Sequence, residues 1–453
     1  MYGYHATVCV VILAVLTTDQ VKGTRYDGHQ LLRVHPTTSR QVEFLRTLHD
    51  NGNLQLDFWT FPVLDHDVDI RVPPRSRSYV KQLIKNAGLS ASVAIDDIQS
   101  SIDKEFEDMA NARMSRTGHA TYNFLCDAFG INCPEDETGG GPTTPSGEIV
   151  GIFARHIEID NWLTAMASEF GQLATVESIG TSYEGRKMNI IKIGKTSPNV
   201  KPVIWVEAGI HAREWISPAV AVWTIDKMLR NYGTDDDVTF MLDTFDWYFL
   251  PSANPDGYEY TFTDDRLWRK TRSPQDQGCM GVDPNRNFDI EFGGAGTSSN
   301  PCSNTYPGKY AFSEPETANI QTSIMNVRDR VVVFLSFHAY SQLMLTPYGY
   351  TSNKPSDYQE MLRVADASMA ALKAVHGKTF QVGTPPEILY AVSGGTYDWA
   401  KAKAGVKYSY TYELRPATAS SAQSGFIIGE EQIVPSGEEV WASLVTIARE
   451  VQL

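Results

Sequence analysis

Four short runs constrain the fold of this chain more than any other feature: Pro202–Ala208, Phe245–Leu250, Arg330–Phe337 and Lys407–Tyr412. Each is the length of one strand and rich in β-branched and aromatic residues. Longer stretches of helical periodicity lie among them: Pro218–Arg230, Glu314–Asn326, Tyr358–Val375 and Gly437–Val451. Strands that are apolar on both faces need cover on both faces, and alternating helices supply it. The order predicts an α/β unit over 151–453, a mixed, largely parallel central sheet flanked by helices. Ligands in such sheets gather beyond the carboxyl ends of the strands.

A smaller pattern precedes it. Asp27–Val34 reads as a strand, Arg40–His49 as a helix with Val42, Leu45 and Leu48 on one face, and Leu54–Phe61 and Asp67–Val72 as strands. Ser78–Asn86 reads as a second helix and Ser92–Ile98 as a last strand. The β-α-β-β-α-β order is the ferredoxin-like arrangement, so a small α+β prodomain is expected over 24–113. Pro134–Gly147, with three consecutive glycines, Pro142 and Pro145, marks 114–150 as an exposed junction. A trypsin-like protease cuts mobile basic sites, and Arg113, Arg116 and Arg155 flank this stretch. A cut after Arg113 or Arg116 keeps the junction on the product; a cut after Arg155 discards it.

The 453 residues include 39 Lys and Arg against 54 Asp and Glu, a net charge of −15. A surface of that sign repels phosphate backbones, so no nucleic-acid partner is expected. Residues 1–23 read as a secretory signal, with an apolar stretch over Ala6–Leu16 and Val21-Lys22-Gly23 at the cleavage point. The stretch is shorter than the about 20 apolar residues that span a bilayer. A secreted, extracellular monomer with no membrane attachment is expected. Cys9 leaves with the signal; pairing neighbours among the other four gives Cys126–Cys133 and Cys279–Cys302. None is spaced as CxxC, which argues against a zinc knuckle.

The chemistry-bearing residues follow the strands. Val203–Val206 runs into His211 and Glu214, Val331–Phe337 into His338, and Lys407–Tyr412 into Glu413. His211 and Glu214, three apart, fit one side of a helical turn. Two His and one Glu form a ligand set of catalytic zinc sites, with a fourth position open. A separate carboxylate beside them suits a general base. Singly, each signal has an ordinary structural explanation: a surface helix pair for HxxE, a turn residue for a His after a strand. Their shared edge of one sheet is what favours chemistry.

Five motifs carry a family resemblance: His211-Ala-Arg-Glu-Trp215, Asp283-Pro-Asn-Arg-Asn287, His338-Ala-Tyr-Ser-Gln342, Ser393-Gly-Gly-Thr-Tyr-Asp-Trp399 and Tyr412-Glu-Leu-Arg415. Together they resemble the zinc carboxypeptidases of the digestive A/B type, over essentially the whole chain. The resemblance implies one zinc ion held by His211, Glu214 and His338, with Glu413 as general base and acid. Arg269 would polarise the scissile carbonyl, and Asn285 and Arg286 would grip the terminal carboxylate. Tyr390 would close over the substrate, Arg213 and Tyr340 would line the site for penultimate residues, and Asp283 would hold the other ring nitrogen of His211. The substrate would be the C-terminus of a peptide or protein, and the prosegment would dock over the site as an intramolecular inhibitor.

Members of basic specificity are similar to one another in placing an acidic residue directly before the shared Asp, here Asp398. This chain has Tyr397 there, and Leu345 and Gly349 on the facing wall are also uncharged. An apolar or aromatic C-terminal residue is therefore the expected preference, aliphatic if Tyr397 makes the pocket shallow. The resemblance also implies a cis bond after Arg415, where similar enzymes hold one between non-proline residues, and Pro416 lowers its cost here. Rival readings are a catalytically silent binding or inhibitory homologue and a regulatory peptide-processing carboxypeptidase. Locally, Arg266–Arg272 could be a solvated basic stretch and Asn285–Asn287 a plain turn.

Overall fold

The computed structural model describes residues 23–49, 54–117, 149–416 and 425–453, the side chains of 114–117 excepted. The expected signal, Cys9, Cys126, Cys133 and most of the junction lie outside the described residues.

The N-terminal unit runs β1 (Gln30–Val34), α1 (Ser39–His49), β2 (Asp57–Phe58), β3 (Val68–Val72), α2 (Arg77–Asn86) and β4 (Ala91–Ile95). Its sheet has the order β2-β3-β1-β4 with antiparallel neighbours throughout, the ferredoxin-like arrangement. The strand expected over Leu54–Phe61 shrinks to Asp57–Phe58, because Gln55 takes a φ of 52°, outside the strand region. Alternation along β1 divides its side chains. Leu32 and Val34 join Leu45, Leu48, Val80 and Ile84 in a core under α1 and α2, whereas Leu31 joins the core of the larger unit. The sheet thus has two apolar faces, one for its own helices and one for the rest of the molecule. α3 (Ile98–Thr117) leads away from it.

The larger unit carries β5 (Ala174–Thr181), β6 (Lys187–Ile193), β7 (Val203–Ala208), β8 (Asp246–Leu250), β9 (Val331–Ala339), β10 (Leu343–Leu345), β11 (Gln381–Gly383) and β12 (Tyr408–Leu414). They form one sheet in the order β11-β10-β12-β9-β7-β8-β6-β5. The central strands β12, β9, β7 and β8 are parallel neighbours; β5 and β6 pair antiparallel at one edge, and β10 runs antiparallel to β12. Its helices are α4 (His156–Glu169), α5 (Ile216–Asn231), α6 (Asp236–Thr244), α7 (Pro255–Thr263), α8 (Pro315–Val327), α9 (Tyr358–His376), α10 (Pro385–Ile388), α11 (Thr396–Ala402) and α12 (Ile433–Glu450). Ile204, Val206, Leu335 and Tyr410 pack with α4, α5, α9 and α12; Val203, Trp205 and Phe334, from the other face, pack with α8 and α11. Each fully buried aliphatic side chain contributes about 1.5–3 kcal/mol. The edge hairpin of β5 and β6, and helices α4, α6, α7 and α11, were not expected from the pattern. No helix among the described residues is long and apolar enough to cross a membrane.

The two units are joined by charge as well as apolar surface. Arg266, 3 % exposed, forms a two-point ion pair with Glu105 of α3 at 2.6 and 2.9 Å. It also donates to the carbonyls of Arg213 and Phe426 and lies 3.6 Å from the centre of the Trp215 ring. Lys270 is buried too, and Arg272 stacks on Tyr260 and Trp268. The solvated reading of Arg266–Arg272 is thereby corrected. Removing one partner of a buried pair leaves the other charge uncompensated, a cost of about 3 kcal/mol or more. Glu105→Ala is expected to lower the stability of the full-length chain by that amount, read from its urea midpoint.

Candidate metal centre and active site

His211 and Glu214 sit in the short loop between β7 and α5. Gly209 turns the chain out of the strand at a φ of +70°, and a Cβ there would lie 3.0 Å from Pro218. Asn254 then pins two loops at once, its Nδ2 donating to the carbonyls of Ile210 at 3.3 Å and Lys270 at 3.0 Å. His338 lies at the carboxyl end of β9, and Glu413, on β12, is its register partner. These positions all fall on one edge of the sheet.

There, His211 Nδ1 is 2.8 Å from Glu214 Oε1, His338 Nδ1 is 3.0 Å from Glu214 Oε2, and the two Nδ1 atoms are 3.0 Å apart. All three side chains are buried and offer one ligand atom each within 4.8 Å of the others. Two ring nitrogens and a carboxylate aimed at a common point suit a single cation, and the donor set is that of zinc. Asp283, fully buried, accepts from His211 Nε2 at 3.1 Å. The same carboxylate accepts from Arg269 Nε and a terminal nitrogen at 3.2 and 2.9 Å and from the Asn285 backbone N–H at 3.0 Å. Against the cost of burial, Arg269, Arg286 and His211 hold Asp283 well below the usual carboxylate range.

The structure brings the remaining candidates to the same recess. Arg269 reaches within 3.8 Å of Glu214 Oε1. Arg286 donates to the Tyr390 hydroxyl at 3.1 Å, to Gly296 O at 3.1 Å and to Asn285 O at 2.8 Å. Asn285 Nδ2 stands 3.4 Å from His338 Nε2, and its Oδ1 accepts from the Thr396 N–H at 3.0 Å. Gly394 approaches so closely that a Cβ would collide with Arg286 O, so the Ser393–Gly395 turn supports the arginine directly. Cys279 and Cys302 form a disulfide bracketing this segment. Withdrawal from water pushes Glu413 up to about 8, with His338 and Arg269 pulling the other way. Tyr397 and Asp398 are buried beside Gly349, whose N–H donates to Asp398 at 2.7 Å. The Arg415–Pro416 bond is cis, as expected.

The comparisons with known proteins agree with this geometry. A family described as "Zinc carboxypeptidase" matches residues 159–443, and one described as "Carboxypeptidase activation peptide" matches residues 32–105. The chain belongs to the zinc carboxypeptidase family. It carries the activation peptide with the enzyme and is a metallocarboxypeptidase zymogen. Carboxypeptidase A2 of Rattus norvegicus is 38% identical over 94% of this chain and 94% of its own length. Carboxypeptidase B of Astacus astacus is 43% identical over 65% of this chain and 95% of its own. Among solved structures, carboxypeptidase A from Helicoverpa armigera superposes with a TM-score of 0.81 at 29% identity, covering 94% of this chain and 98% of that one.

In this procarboxypeptidase the prosegment covers the recess. Asp57 pairs with Arg213 at 2.9 Å, Asp69 accepts from the Tyr340 hydroxyl at 3.0 Å, and the Phe61 ring stacks on Tyr390 at 3.8 Å. Sequence reasoning missed these contacts and the role of Asn254, since nothing in local spacing marks them. Partners that orient a ligating His typically change metal affinity 10–100-fold. Asp283→Asn is therefore expected to weaken zinc binding by about that factor, read by competition with a chromophoric chelator.

Proposed function

We propose that the activated enzyme removes uncharged, preferentially apolar or aromatic, residues from the C-termini of peptides. The observation that carries this reading is the placement of Glu413 beside the His211–Glu214–His338 set, across from the guanidinium groups of Arg269 and Arg286. A zinc ion at that set supplies Lewis acidity, polarising a carbonyl and lowering the pKa of water. Glu413 takes the proton of the attacking water and returns it to the leaving amine; withdrawal from water raises the carboxyl above its ordinary range, so that it holds the proton between the two transfers. Arg269, held by Asp283, stabilises the charge that develops on the carbonyl oxygen, a contribution of about 3–4 kcal/mol for one such donor. Arg286 and Asn285 grip the terminal carboxylate, since a planar guanidinium fork matches that group. Tyr390, hydrogen-bonded to Arg286, closes over it, and Arg213 and Tyr340 line the path of the preceding residues.

Specificity rests on Tyr397 and its neighbours. Burial pushes Asp398 up to about 8, so at neutral pH the pocket holds little fixed negative charge. A Lys or Arg side chain entering it is desolvated without a partner.

The prosegment contacts to Arg213, Tyr340 and Tyr390 support its reading as an intramolecular inhibitor. The proposed units are the secretory segment 1–23, the inhibitory segment 24–113, the junction 114–150 and the catalytic unit 151–453. Arg113 is buried against Glu158 at 2.7 Å and Arg155 is paired with Glu259. An activating trypsin-like cut after Arg116, in the last turn of α3, is therefore favoured. Secretion rests on the apolar start of the chain.

Glu413→Gln is expected to lower kcat/KM by about 10²–10⁴-fold with zinc content unchanged. Peptides ending in Leu or Phe are expected to turn over faster than those ending in Lys or Arg at pH 7. The ratio of Lys to Leu release is expected to rise above pH 8, as Asp398 gains its charge. Faster release of Lys at pH 7 contradicts the assignment.

A further inference from the structure

A cavity lies at the opposite edge of the large sheet from the metal site. Its volume is about 410 Å³, in the range of about 300–1,000 Å³ common for small-molecule pockets. It opens where β6 ends and where β5, β7, β8 and β9 begin. Among the described residues four cations line it, Lys192, Lys195, Lys201 and Arg330, against one carboxylate, Asp246. That ratio runs against the chain as a whole, with its 39 basic and 54 acidic residues. Asp246 is already engaged on both oxygens: Lys201 Nζ lies 2.9 Å from Oδ1, and a terminal nitrogen of Arg330 donates to Oδ2. Lys201 is buried and also donates to the carbonyls of Leu242 and Phe245 at 2.9 and 3.1 Å, so it ties the strand starts together.

The other cations keep unused capacity. Arg330 donates from Nε to the Lys201 carbonyl at 3.0 Å, and its second terminal nitrogen has no hydrogen bond among the described residues. Lys192 pairs with Glu177 and lies 5.0 Å from the centre of the Tyr248 ring. Lys195 is exposed, and its ammonium has no ion-pair partner among the described residues. Its backbone is nonetheless fixed, the N–H donating to Leu242 O at 2.9 Å, so the side chain springs from the same anchor that holds Lys201. Thr196 and Ser197 follow it along the rim.

The wall therefore offers charged donors whose only neighbouring carboxylate is taken. A guanidinium nitrogen and an ammonium, with two hydroxyls beside them, match an anion that has several acceptor oxygens. We propose that this cavity is an anion site, separate from the metal centre, that binds a tetrahedral oxyanion through Arg330, Lys195 and Lys192. The group is a phosphate or sulfate, free or esterified to a small polar molecule, since the cavity exceeds the ion itself. No prosegment residue lines it, so zymogen and activated enzyme present the same site. The inference is independent of the carboxypeptidase reading.

The test uses the zinc-loaded full-length protein, in which the prosegment covers the arginines of the recess. It is titrated by calorimetry at low ionic strength with inorganic phosphate, inorganic sulfate, glycerol phosphate, glycerol sulfate and glycerol. One anion is expected to bind per chain, more weakly as salt is added, and glycerol is expected not to bind. Lys195→Gln is expected to raise the Kd about tenfold, as befits the loss of one charge-assisted hydrogen bond. Lys195 lies on an exposed loop, so the fold should survive, and Leu release by the activated variant is expected to match that of the native enzyme. Inorganic ions that bind as tightly as the esters assign the site to the free ion; tighter esters assign it to the esterified group. Absence of saturable binding by every anion overturns the proposal, as does a Kd that Lys195→Gln and Arg330→Gln both leave unchanged.

Discussion

The parallel pairing of β7, β9 and β12 is the constraint on which the rest depends. Parallel neighbours end on the same edge, so residues far apart in the chain reach one place without long excursions. The register sets Glu413 opposite His338 and Ala208 opposite Phe337, and the loop after β7 then carries His211 and Glu214 to the same edge. Helices on both faces keep these strands dry, and a dry sheet end is what gives buried charges their leverage. Asp283 converts that placement into order. One carboxylate without solvent access orients an imidazole, a guanidinium and a backbone N–H, so His211 and Arg269 share a single anchor.

The prosegment exploits the same edge. Its contacts fall on the Arg213 guanidinium and on two phenols, Tyr340 and Tyr390, the second hydrogen-bonded to Arg286. The pair of Glu105 and Arg266 holds the arrangement from the side, outside the recess. The contacts at the recess and the ion pair beside it are therefore carried by different residues, and a cut after Arg116, in the last turn of α3, falls downstream of both.

Much of this was legible in the sequence, for identifiable reasons. The central strands are buried on both faces, so their apolar runs stand out, and the ends of such strands pointed directly to His211, Glu214, His338 and Glu413. In the N-terminal unit, alternation and turn residues reported the element order, though β2 shrank because a backbone bend at Gln55 leaves no trace in composition. The hairpin of β5 and β6 was missed because β5 is largely exposed and lacks a clean alternation. Arg269, Asn285 and Arg286 stood out only through family resemblance; their spacing alone fits a turn or a solvated stretch. Asn254 joins two loops from distant segments, and no local signal could have found that role.

The central claim is that two imidazoles and one carboxylate converge on a single zinc ion. X-ray absorption at the zinc edge of the purified full-length protein tests it most directly. The account predicts a first shell of nitrogen and oxygen at about 2.0–2.2 Å, with the outer scattering of two imidazole rings and one equivalent of metal per chain. A sulfur shell, a shell without imidazole scattering, or a protein that binds no stoichiometric zinc contradicts it.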